Sequence, residues 1–357
     1  MKIGIPKENQ DNRVSMVPAT MKKMASDQVT FLVEKGAGAK ASLLDTDFSE
    51  VATLTDRTTI LQESDIIVSV NPLSDEAMTS IKKGTLLISM FAPYADETIV
   101  GKLKDNGLQA VSMDMIPRSS LAQAMDILSS MASVAGYKAV LMAASHLPRY
   151  FPMMITAAGS IRPAKVLVLG AGVAGLQAIA TAKRLGAMVE AFDVRKAAKE
   201  EVESLGAKFV EVAGAADDTS AGGYAVEQSE EFIKRQRAEV QNRASKADVV
   251  ITTAQVRGRK APILLPKETV DKMKAGSVVV DLASSTGGNC ELSKDNEIII
   301  HNGVKIIGNS ALPSDMPQDA STLFSNNIHN FLKLILKDGV LNLDMEHEIV
   351  KSALITA

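Results

Sequence analysis

Residues 165–175 have the sequence KVLVLGAGVAG, and this segment indicates how the chain folds. Five residues typical of a buried β-strand run directly into Gly-x-Gly-x-x-Gly, and a helical pattern follows. This order predicts a dinucleotide-binding turn: the first glycine permits a tight turn, the second lets a pyrophosphate approach the backbone, and the third lets the helix pack on the strand. The three glycines are Gly170, Gly172 and Gly175.

The residues after the glycines extend this prediction to NAD(H). The predicted helix begins with Val173 and Ala174, and its N-terminus offers unpaired N–H groups to the phosphates. A second predicted strand, Met188–Phe192, ends on Asp193, about 20 residues beyond the glycines, where an acid holds the adenosine ribose of NAD. Arg195 could pair with the 2′-phosphate of NADP, but Asp193 would repel that group. We therefore interpret Arg195 as a neighbour of the adenosine.

Length and composition predict a globular protein of two domains. Its 357 residues are 46% hydrophobic, enough for two domains with separate cores. The net charge of −3 gives no electrostatic footprint for nucleic acid. The single cysteine, Cys290, argues against a disulfide framework or a cysteine metal site and suits a reducing cytoplasm. No apolar run reaches the roughly 18 residues of a membrane span, so we expect no direct membrane insertion. Since the histidines also lack a His-x-x-x-His spacing, we expect no bound metal.

Strands and helices alternate along the chain. Predicted strands lie at residues 2–6, 29–33, 65–70, 85–89, 109–112, 165–169, 188–192, 208–212, 248–252, 277–282 and 304–307. Apolar strands that alternate with amphipathic helices form parallel sheets covered on both faces. We predict two Rossmann-like, doubly wound parallel-sheet domains joined by long helices, with a cleft between them. The expected domains are 1–128 plus 325–357, and 140–320.

Two further segments leave alternatives open. Residues 118–130, RSSLAQAMDILSS, would place Gln123, Asp126, Ser129 and Ser130 on one face if helical. Taken alone, a solvated face is the better interpretation of that polar stripe. Residues 213–225 are rich in small residues and carry Tyr224 beside two glycines. Such a loop is typical of a lid over a nucleotide and also of an unoccupied surface loop.

The chain shows no obvious acid or base for a dehydrogenase that reduces a carbonyl or imine. A structural role is the better interpretation for each of the histidines, which are His146, His301, His329 and His347. Hydride transfer between two nicotinamides needs no proton donor, only alignment of the rings at roughly 3–3.5 Å.

Taken together, these motifs resemble the NAD(H)-binding component of the proton-translocating NAD(P) transhydrogenases, over nearly the whole length. The residues that carry the resemblance are Ile5–Glu8 with Arg13, Pro117–Arg118, Gln123, Asp126, Ser129–Ser130, 135–137, 155–159, 170–175, 193–195, 222–225, 252–254 and 287–290. Residues 255–257 depart from it, because Gln-Val-Arg replaces a small apolar run.

The resemblance implies a homodimer that docks, through membrane-spanning and NADP(H)-binding partner subunits, on the cytoplasmic or matrix face of a membrane. It implies that NADH bound here passes a hydride to NADP⁺ on the partner, coupled to proton movement. The residues implied to act in transfer are Arg118, Gln123, Asp126, Ser129 and Tyr224. Those implied to bind NAD(H) are Arg118, Ser119, Ser120, Gln123, Gly170, Gly172, Val173, Ala174, Gly175, Asp193, Val194, Arg195, Gly223, Gln236 and Gln255.

Two competing functions follow from the same residues. Alanine dehydrogenases share the Lys7, Glu8 and Arg13 opening, but they carry a lysine after the third strand and a histidine after the fourth. The corresponding stretches here, residues 68–73 and 89–93, contain neither residue. A non-catalytic NAD(H) sensor is the other alternative, and the sequence does not distinguish it from an isolated enzyme subunit.

Overall fold

The computed structural model describes residues 1–26, 28–212 and 229–356. The chain divides into two compact units. Unit 1 contains Met1–Met131 and Pro313–Ala357, and unit 2 contains Ala132–Leu312. Unit 1 is therefore discontinuous in sequence.

Unit 1 is built on a six-stranded sheet in the order β3-β2-β1-β4-β5-β6, with every neighbouring pair parallel. The strands are β1 Lys2–Ile5, β2 Thr30–Glu34, β3 Thr53–Thr55, β4 Ile66–Val68, β5 Leu86–Ser89 and β6 Gln109–Ser112. The intervening helices are α1 Pro18–Lys22, α2 Asp45–Phe48, α3 Arg57–Glu63, α4 Asp75–Thr79 and α5 Thr98–Asp105. Every residue of β4 and β5 is buried, as expected for a parallel sheet covered on both faces.

Helix α6, Ile127–His146, leads into unit 2, and the hairpin β7 Met154–Thr156 with β8 Gly159–Ile161 follows it. The main sheet has the order β11-β10-β9-β12-β13-β15-β14. It is parallel except for β14, which runs antiparallel to β15. The elements are β9 Lys165–Leu169, α7 Val173–Arg184, β10 Met188–Phe192, α8 Ala198–Ser204, β11 Lys208–Phe209, α9 Glu230–Ala244, β12 Val249–Thr252, α10 Lys267–Val270, β13 Val278–Asp281, β14 Glu297–His301 and β15 Val304–Gly308.

The core of unit 2 lies on both faces of this sheet. Val166 and Val168 of β9 belong to one buried cluster, and Leu167 and Leu169 belong to the other. Because successive side chains of a strand point to opposite faces, a strand buried on both faces is a continuous apolar run. This explains the composition of residues 165–169.

The chain returns to unit 1 through α11, Pro317–Ile335, followed by the small hairpin β16 Leu336–Lys337 with β17 Val340–Leu341 and by α12 Glu348–Ala353. Phe324, Ile328, Phe331 and Ile335 of α11 are fully buried. They recur every three or four residues, which is the spacing of one helical face. Their burial makes α11 a component of the unit 1 core.

The prediction of two Rossmann-like parallel-sheet domains is confirmed. Strand β3 and the hairpin β7–β8 were not predicted, because strands of three residues carry too little periodicity to be recognised. The five-residue strand β14 was also absent from the predicted strands, and it adds an antiparallel edge to a sheet that was expected to be parallel throughout. Residues 118–130 do not form one continuous helix. A 3₁₀ helix covers Ser120–Met125, and α6 begins only at Ile127.

Helix α6 is the one helix among the described residues that is long and apolar enough to cross a membrane. Its mean hydropathy is 1.4, and 39% of the apolar window is buried within the structure. A core helix of a soluble protein meets the same criterion, so length and composition alone are weak evidence for a span. The sequence analysis found no run of that length, because small and polar residues are mixed with the apolar residues of α6.

Candidate functional site

The turn after β9 has the geometry that its glycines predict. Gly170 has φ +104°, a conformation that glycine adopts at no steric cost. A Cβ added to Gly175 would lie 1.9 Å from the carbonyl oxygen of Gly170, so only glycine lets α7 approach the strand this closely. A Cβ on Gly172 would meet nothing within 4 Å. The exposed face of the turn is therefore open to a ligand.

Asp193 connects the end of β10 to this turn. Its Oδ2 accepts the backbone N–H of Ala171 at 2.8 Å, and its Oδ1 accepts the backbone N–H of Arg195 at 2.8 Å. The Arg195 guanidinium also donates to both carboxylate oxygens, each at 3.1 Å, and this hydrogen bonding raises the pKa of Arg195. The Asp193 side chain is only 8% exposed. A ribose hydroxyl would therefore share this carboxylate with Arg195 or displace it.

The first turn of α7 is approached closely by α6, a contact that has no signature in the local sequence. A Cβ added to Gly136 would lie 2.1 Å from the carbonyl oxygen of Ala174. Gly136 therefore has a packing role, because its lack of a Cβ lets the backbone of α6 lie against the helix N-terminus that would hold the phosphates. Val173, next to Ala174, is 44% exposed on the open side.

The predicted residues of unit 1 surround a single pocket of about 310 Å³. Its lining consists of Pro117, Arg118, Ser119, Ser120, Ala122, Gln123, Asp126 and Ser129. Arg118 and Gln123 are exposed there. The structure thus brings together every predicted unit 1 site residue and gives the pocket a cationic guanidinium and an amide.

Asp126 begins α6 rather than lying on a continuous helical stripe. Its carboxylate accepts the backbone N–H of Ser129 at 2.9 Å and the hydroxyl of Ser129 at 2.6 Å. A carboxylate that accepts N–H groups of the first turn is the usual helix N-cap. The N-cap fixes Asp126 and Ser129 relative to each other at the wall of the pocket.

Helix α11 supports the same turn from a distant part of the sequence. The side-chain amides of Asn327 and Asn330 both donate to the carbonyl oxygen of Ala124, at 2.9 and 3.2 Å. Ala124 is adjacent to Gln123, so these bonds hold the backbone that carries the Gln123 side chain. No local sequence signal could reveal this, because about 200 residues separate the partners.

The remaining predicted residues are more dispersed. Gln236 is partly buried on α9, Gln255 is exposed just after β12, and Val194 is 61% exposed beside Asp193. Gly223 and Tyr224, the predicted lid residues, lie outside the described residues. Nothing in the structure assigns them a position.

Two of the histidines have structural contacts in the folded chain. The Nδ1 atom of His347 accepts the backbone N–H of Ile349 at the start of α12, and His301 pairs with Asp271. Among residues 1–26, 28–212 and 229–356, no three or more His, Cys, Asp or Glu side chains form a group that could hold a metal ion.

Arg13, which lies in the opening shared with alanine dehydrogenases, is held inside unit 1. Its guanidinium forms a buried ion pair with Asp11 at 2.6 Å and lies 6.0 Å from the centre of the Phe324 ring. Burial alone would raise the pKa of Asp11, but the hydrogen bonds and charge of Arg13 outweigh it and lower that pKa to about 2. The guanidinium is thus already occupied by a protein carboxylate.

Comparison with known proteins identifies the relatives of this chain. Residues 4–135 match the family model "Alanine dehydrogenase/PNT, N-terminal domain", and residues 139–357 match "Alanine dehydrogenase/PNT, C-terminal domain". The chain is 46% identical over 344 residues to an NAD(P) transhydrogenase alpha-subunit chain of Rhodospirillum rubrum, covering 93% of this chain and 89% of that one.

Solved structures agree with these matches. The transhydrogenase of Sinorhizobium meliloti superposes with a TM-score of 0.92 at 39% identity, over 99% of this chain and 98% of that one. An L-alanine dehydrogenase gives a TM-score of 0.80 at 25% identity, over 99% and 94% of the two chains. The chain therefore belongs to the alanine dehydrogenase/PNT family of nicotinamide-nucleotide oxidoreductases, together with the transhydrogenase alpha subunits.

Proposed function

We propose that this chain is the NAD(H)-binding subunit of a proton-translocating NAD(P) transhydrogenase. The observation that carries the proposal is the glycine turn after β9 together with Asp193, whose carboxylate reaches back to that turn. An open Gly172, a helix N-terminus and a buried acid are what pyrophosphate and an unphosphorylated adenosine ribose require. Unit 2 would therefore bind NADH in preference to NADPH.

The pocket residues of unit 1 would orient the nicotinamide. Arg118 and Gln123 offer donors to the carboxamide, while Asp126 and Ser129 keep the pocket wall rigid through their N-cap bonds. These residues position the ring and exclude alternative orientations. Transfer of a hydride from NADH to a second nicotinamide needs no proton donor from this chain, so accurate alignment is what the protein must supply.

The acceptor would be NADP⁺ on a partner subunit, with proton movement through a membrane-spanning subunit. Leu121, in the turn that carries Gln123, is 80% exposed, but one exposed apolar side chain is common on protein surfaces, so the partner is proposed from the resemblance to transhydrogenases alone. In this proposal the chain is peripheral, attached to the cytoplasmic or matrix face through its partners.

We also propose that two copies pair through the β7–β8 hairpin. Ile155 and Ile161 are 73% and 43% exposed, and the preceding Met153 is 58% exposed. An isolated two-stranded hairpin is marginally stable in water, so a second copy that covers these side chains would stabilise it. Replacing Ile155 with Asp should then shift the chain from dimer to monomer in analytical ultracentrifugation.

The experiment that tests the main proposal follows NADH oxidation optically with the purified chain. One reaction adds the NADP(H)-binding component of a transhydrogenase loaded with NADP⁺, one omits it, and one supplies pyruvate and ammonia instead. Oxidation only with the loaded partner is the expected result.

Two other outcomes would replace the proposal. Oxidation with pyruvate and ammonia alone would identify an alanine dehydrogenase, although the buried Asp11–Arg13 pair leaves that guanidinium unsuited to a substrate carboxylate. Tight NADH binding without oxidation in any reaction would favour a non-catalytic sensor.

A further inference from the structure

The Gly287-Gly288-Asn289-Cys290 motif has no role in the proposed binding site, yet its asparagine is completely buried. The Asn289 side-chain oxygen accepts the backbone N–H of Ala254 at 3.0 Å. Its amide donates to the carbonyl oxygens of Ala254 and Pro262, both at 2.8 Å. One side chain therefore closes both ends of the segment 254–262, which we call the β12 loop.

The backbone around Asn289 completes the attachment. Its carbonyl oxygen accepts the N–H groups of Leu264 and Leu265 at 2.8 and 2.9 Å, and Thr286 accepts the N–H of Ala261 at 2.9 Å. Asp281, also fully buried, accepts the N–H of Cys290 at 2.9 Å. These hydrogen bonds, together with Asp281 at the end of β13, thus fix the position of Asn289.

The β12 loop is in turn connected to the glycine turn. Thr253, immediately before Ala254, directs its hydroxyl to the carbonyl oxygens of Leu169 and Gly170 at 3.3 and 3.1 Å. A Cβ on Gly170 would lie 2.4 Å from that hydroxyl oxygen. Partly buried hydrogen bonds therefore run continuously from Asn289 through Ala254 and Thr253 to the glycine turn.

The side chains of the β12 loop do not explain why so many hydrogen bonds hold it in place. Residues 255–260 are all exposed, so the loop adds little to the core. A buried polar side chain that is fully paired rigidifies the backbone it contacts. Holding an exposed loop in one conformation lowers the entropy lost when a ligand is ordered against it.

We propose that Asn289 is a positioning residue that fixes the β12 loop against the glycine turn, and with it the geometry in which NADH is held for transfer. This inference rests on the proposed function. It assigns a role to the motif Gly287–Cys290 that neither the fingerprint nor the unit 1 pocket supplies.

The test uses Asn289→Asp, which keeps the shape and the acceptor for Ala254 but turns a carboxylate oxygen toward two carbonyl oxygens. The matched control is Asn242→Asp, the same change at an exposed position of α9. Hydrogen exchange measured by mass spectrometry on the nucleotide-free chain should be at least about tenfold faster over residues 253–263 in Asn289→Asp. Residues 165–169 should keep wild-type exchange, and the control should match wild type throughout.

The kinetic readout separates positioning from general stability. With the NADP⁺-loaded partner, Asn289→Asp should lower the rate at saturating NADH by about tenfold while the Kd for NADH changes by less than about threefold. Unchanged exchange over 253–263, or losses of rate and affinity that follow the loss of thermal stability, would overturn the inference.

A second pair of variants decides the matter if Asn289→Asp does not fold. Thr253→Val removes the hydroxyl and keeps the shape, and Thr253→Ser keeps the hydroxyl. Slow transfer in the valine variant with recovery in the serine variant is expected, and wild-type behaviour of both would overturn the inference. If the wild-type chain itself transfers no hydride, the proposed function fails, while the exchange experiment still decides whether Asn289 holds the loop.

Discussion

The two sheets have the same strand order but differ in the turn after their first central strand. In unit 1 the order is β3-β2-β1-β4-β5-β6, and in unit 2 the parallel strands follow as β11-β10-β9-β12-β13-β15. After β9 a glycine turn leads into a helix of 12 residues, whereas after β1 irregular chain leads into a helix of five. Only one of two equivalent scaffolds therefore presents backbone N–H groups to a ligand.

The corresponding crevice of unit 1 is filled by the protein itself. The Glu8 carboxylate accepts the N–H groups of Val70 and Asn71, at 2.6 and 3.3 Å, where the chain leaves β4. In open α/β sheets ligands bind at this reversal of strand order. A buried protein carboxylate in unit 1 thus occupies the kind of position that unit 2 leaves open. Two sheets of the same strand order thus differ in whether they leave this position open, because a fold does not by itself determine a binding site.

The largest effect is expected from Gly175→Ala, because the new Cβ would lie 1.9 Å from the Gly170 carbonyl oxygen. Moving the helix N-terminus should weaken NADH binding by about a thousandfold or more, measured by calorimetry, because the phosphate contacts come from that backbone. Gly4→Ala in β1 also creates a clash, at 2.2 Å from the Ser64 hydroxyl. It should lower stability by about 1–3 kcal/mol and leave the NADH affinity unchanged.

Gly101→Ala is the control for both changes, since a Cβ there meets nothing within 4 Å. A Gly175→Ala chain that binds NADH within tenfold of wild type would contradict the assignment of the glycine turn.

The next largest effect concerns Gln123→Asn, which shortens the side chain at the unit 1 pocket by one methylene. Hydride transfer to the NADP⁺-loaded partner should slow by about a hundredfold, because misalignment acts on the transition state. The Kd for NADH should stay within about threefold, because unit 2 supplies the phosphate and ribose contacts. Stopped-flow absorbance and calorimetry measure the two quantities.

Gln62→Asn, at an exposed position of α3, is the matched control and should leave both quantities unchanged. Equal losses of rate and affinity in Gln123→Asn would show that unit 1 contributes to NADH affinity instead of orienting the nicotinamide for transfer.

A smaller effect is expected at the buried Asp11–Arg13 pair, which lies in the irregular chain after β1 of unit 1. With a folded pKa of about 2 against an ordinary 3.8, the Asp11 contribution is fully present above about pH 4 and is lost as the pH falls through 2. Asp11→Asn should lower stability at pH 7 by about 2 kcal/mol and reduce the loss between pH 4 and 2. Urea unfolding at each pH measures both.

Glu8 acts in the opposite direction, because burial raises its pKa. The contribution of Glu8 to the free energy of unfolding therefore falls as the pH rises past the ordinary pKa of a glutamate.

Asp105→Asn, at an exposed position, is the control and should not reproduce the Asp11 effect. A weakened NADH affinity in Asp11→Asn would contradict a purely structural role for the Asp11–Arg13 pair.

The smallest effect is expected for Asp193→Asn. The amide keeps an acceptor for the Ala171 N–H but loses the charge that pairs with Arg195. NADH binding should weaken by about tenfold, since hydrogen bonds to charged groups exceed those to neutral ones by about 1–2 kcal/mol. NADPH binding should improve, because the repulsion is removed and Arg195 is released. A constant ratio of the two dissociation constants would contradict this role.

The local sequence correctly predicts those features that form between residues close to one another in the chain. The apolar run 165–169, the glycines and the acid after β10 predict the unit 2 turn, because strand, turn and helix form within a few residues of one another. The alternation of strands and helices likewise predicts both parallel sheets. The N-cap at Asp126 was recoverable in principle, since an aspartate three residues before Ser129 is a common helix start. The roles of the pocket residues remain predictions.

The fold class and the glycine turn can thus be predicted without a structure, because they follow from side-chain periodicity and backbone freedom. The tertiary structure alone decided which distant groups hold the site in place. Asn327 and Asn330 support the turn at Ala124, Asn289 closes the β12 loop, and Gly136 admits the Ala174 carbonyl oxygen. A hydrogen bond or close contact requires two groups within a few ångströms, and only the folded chain brings residues so far apart in sequence to that distance.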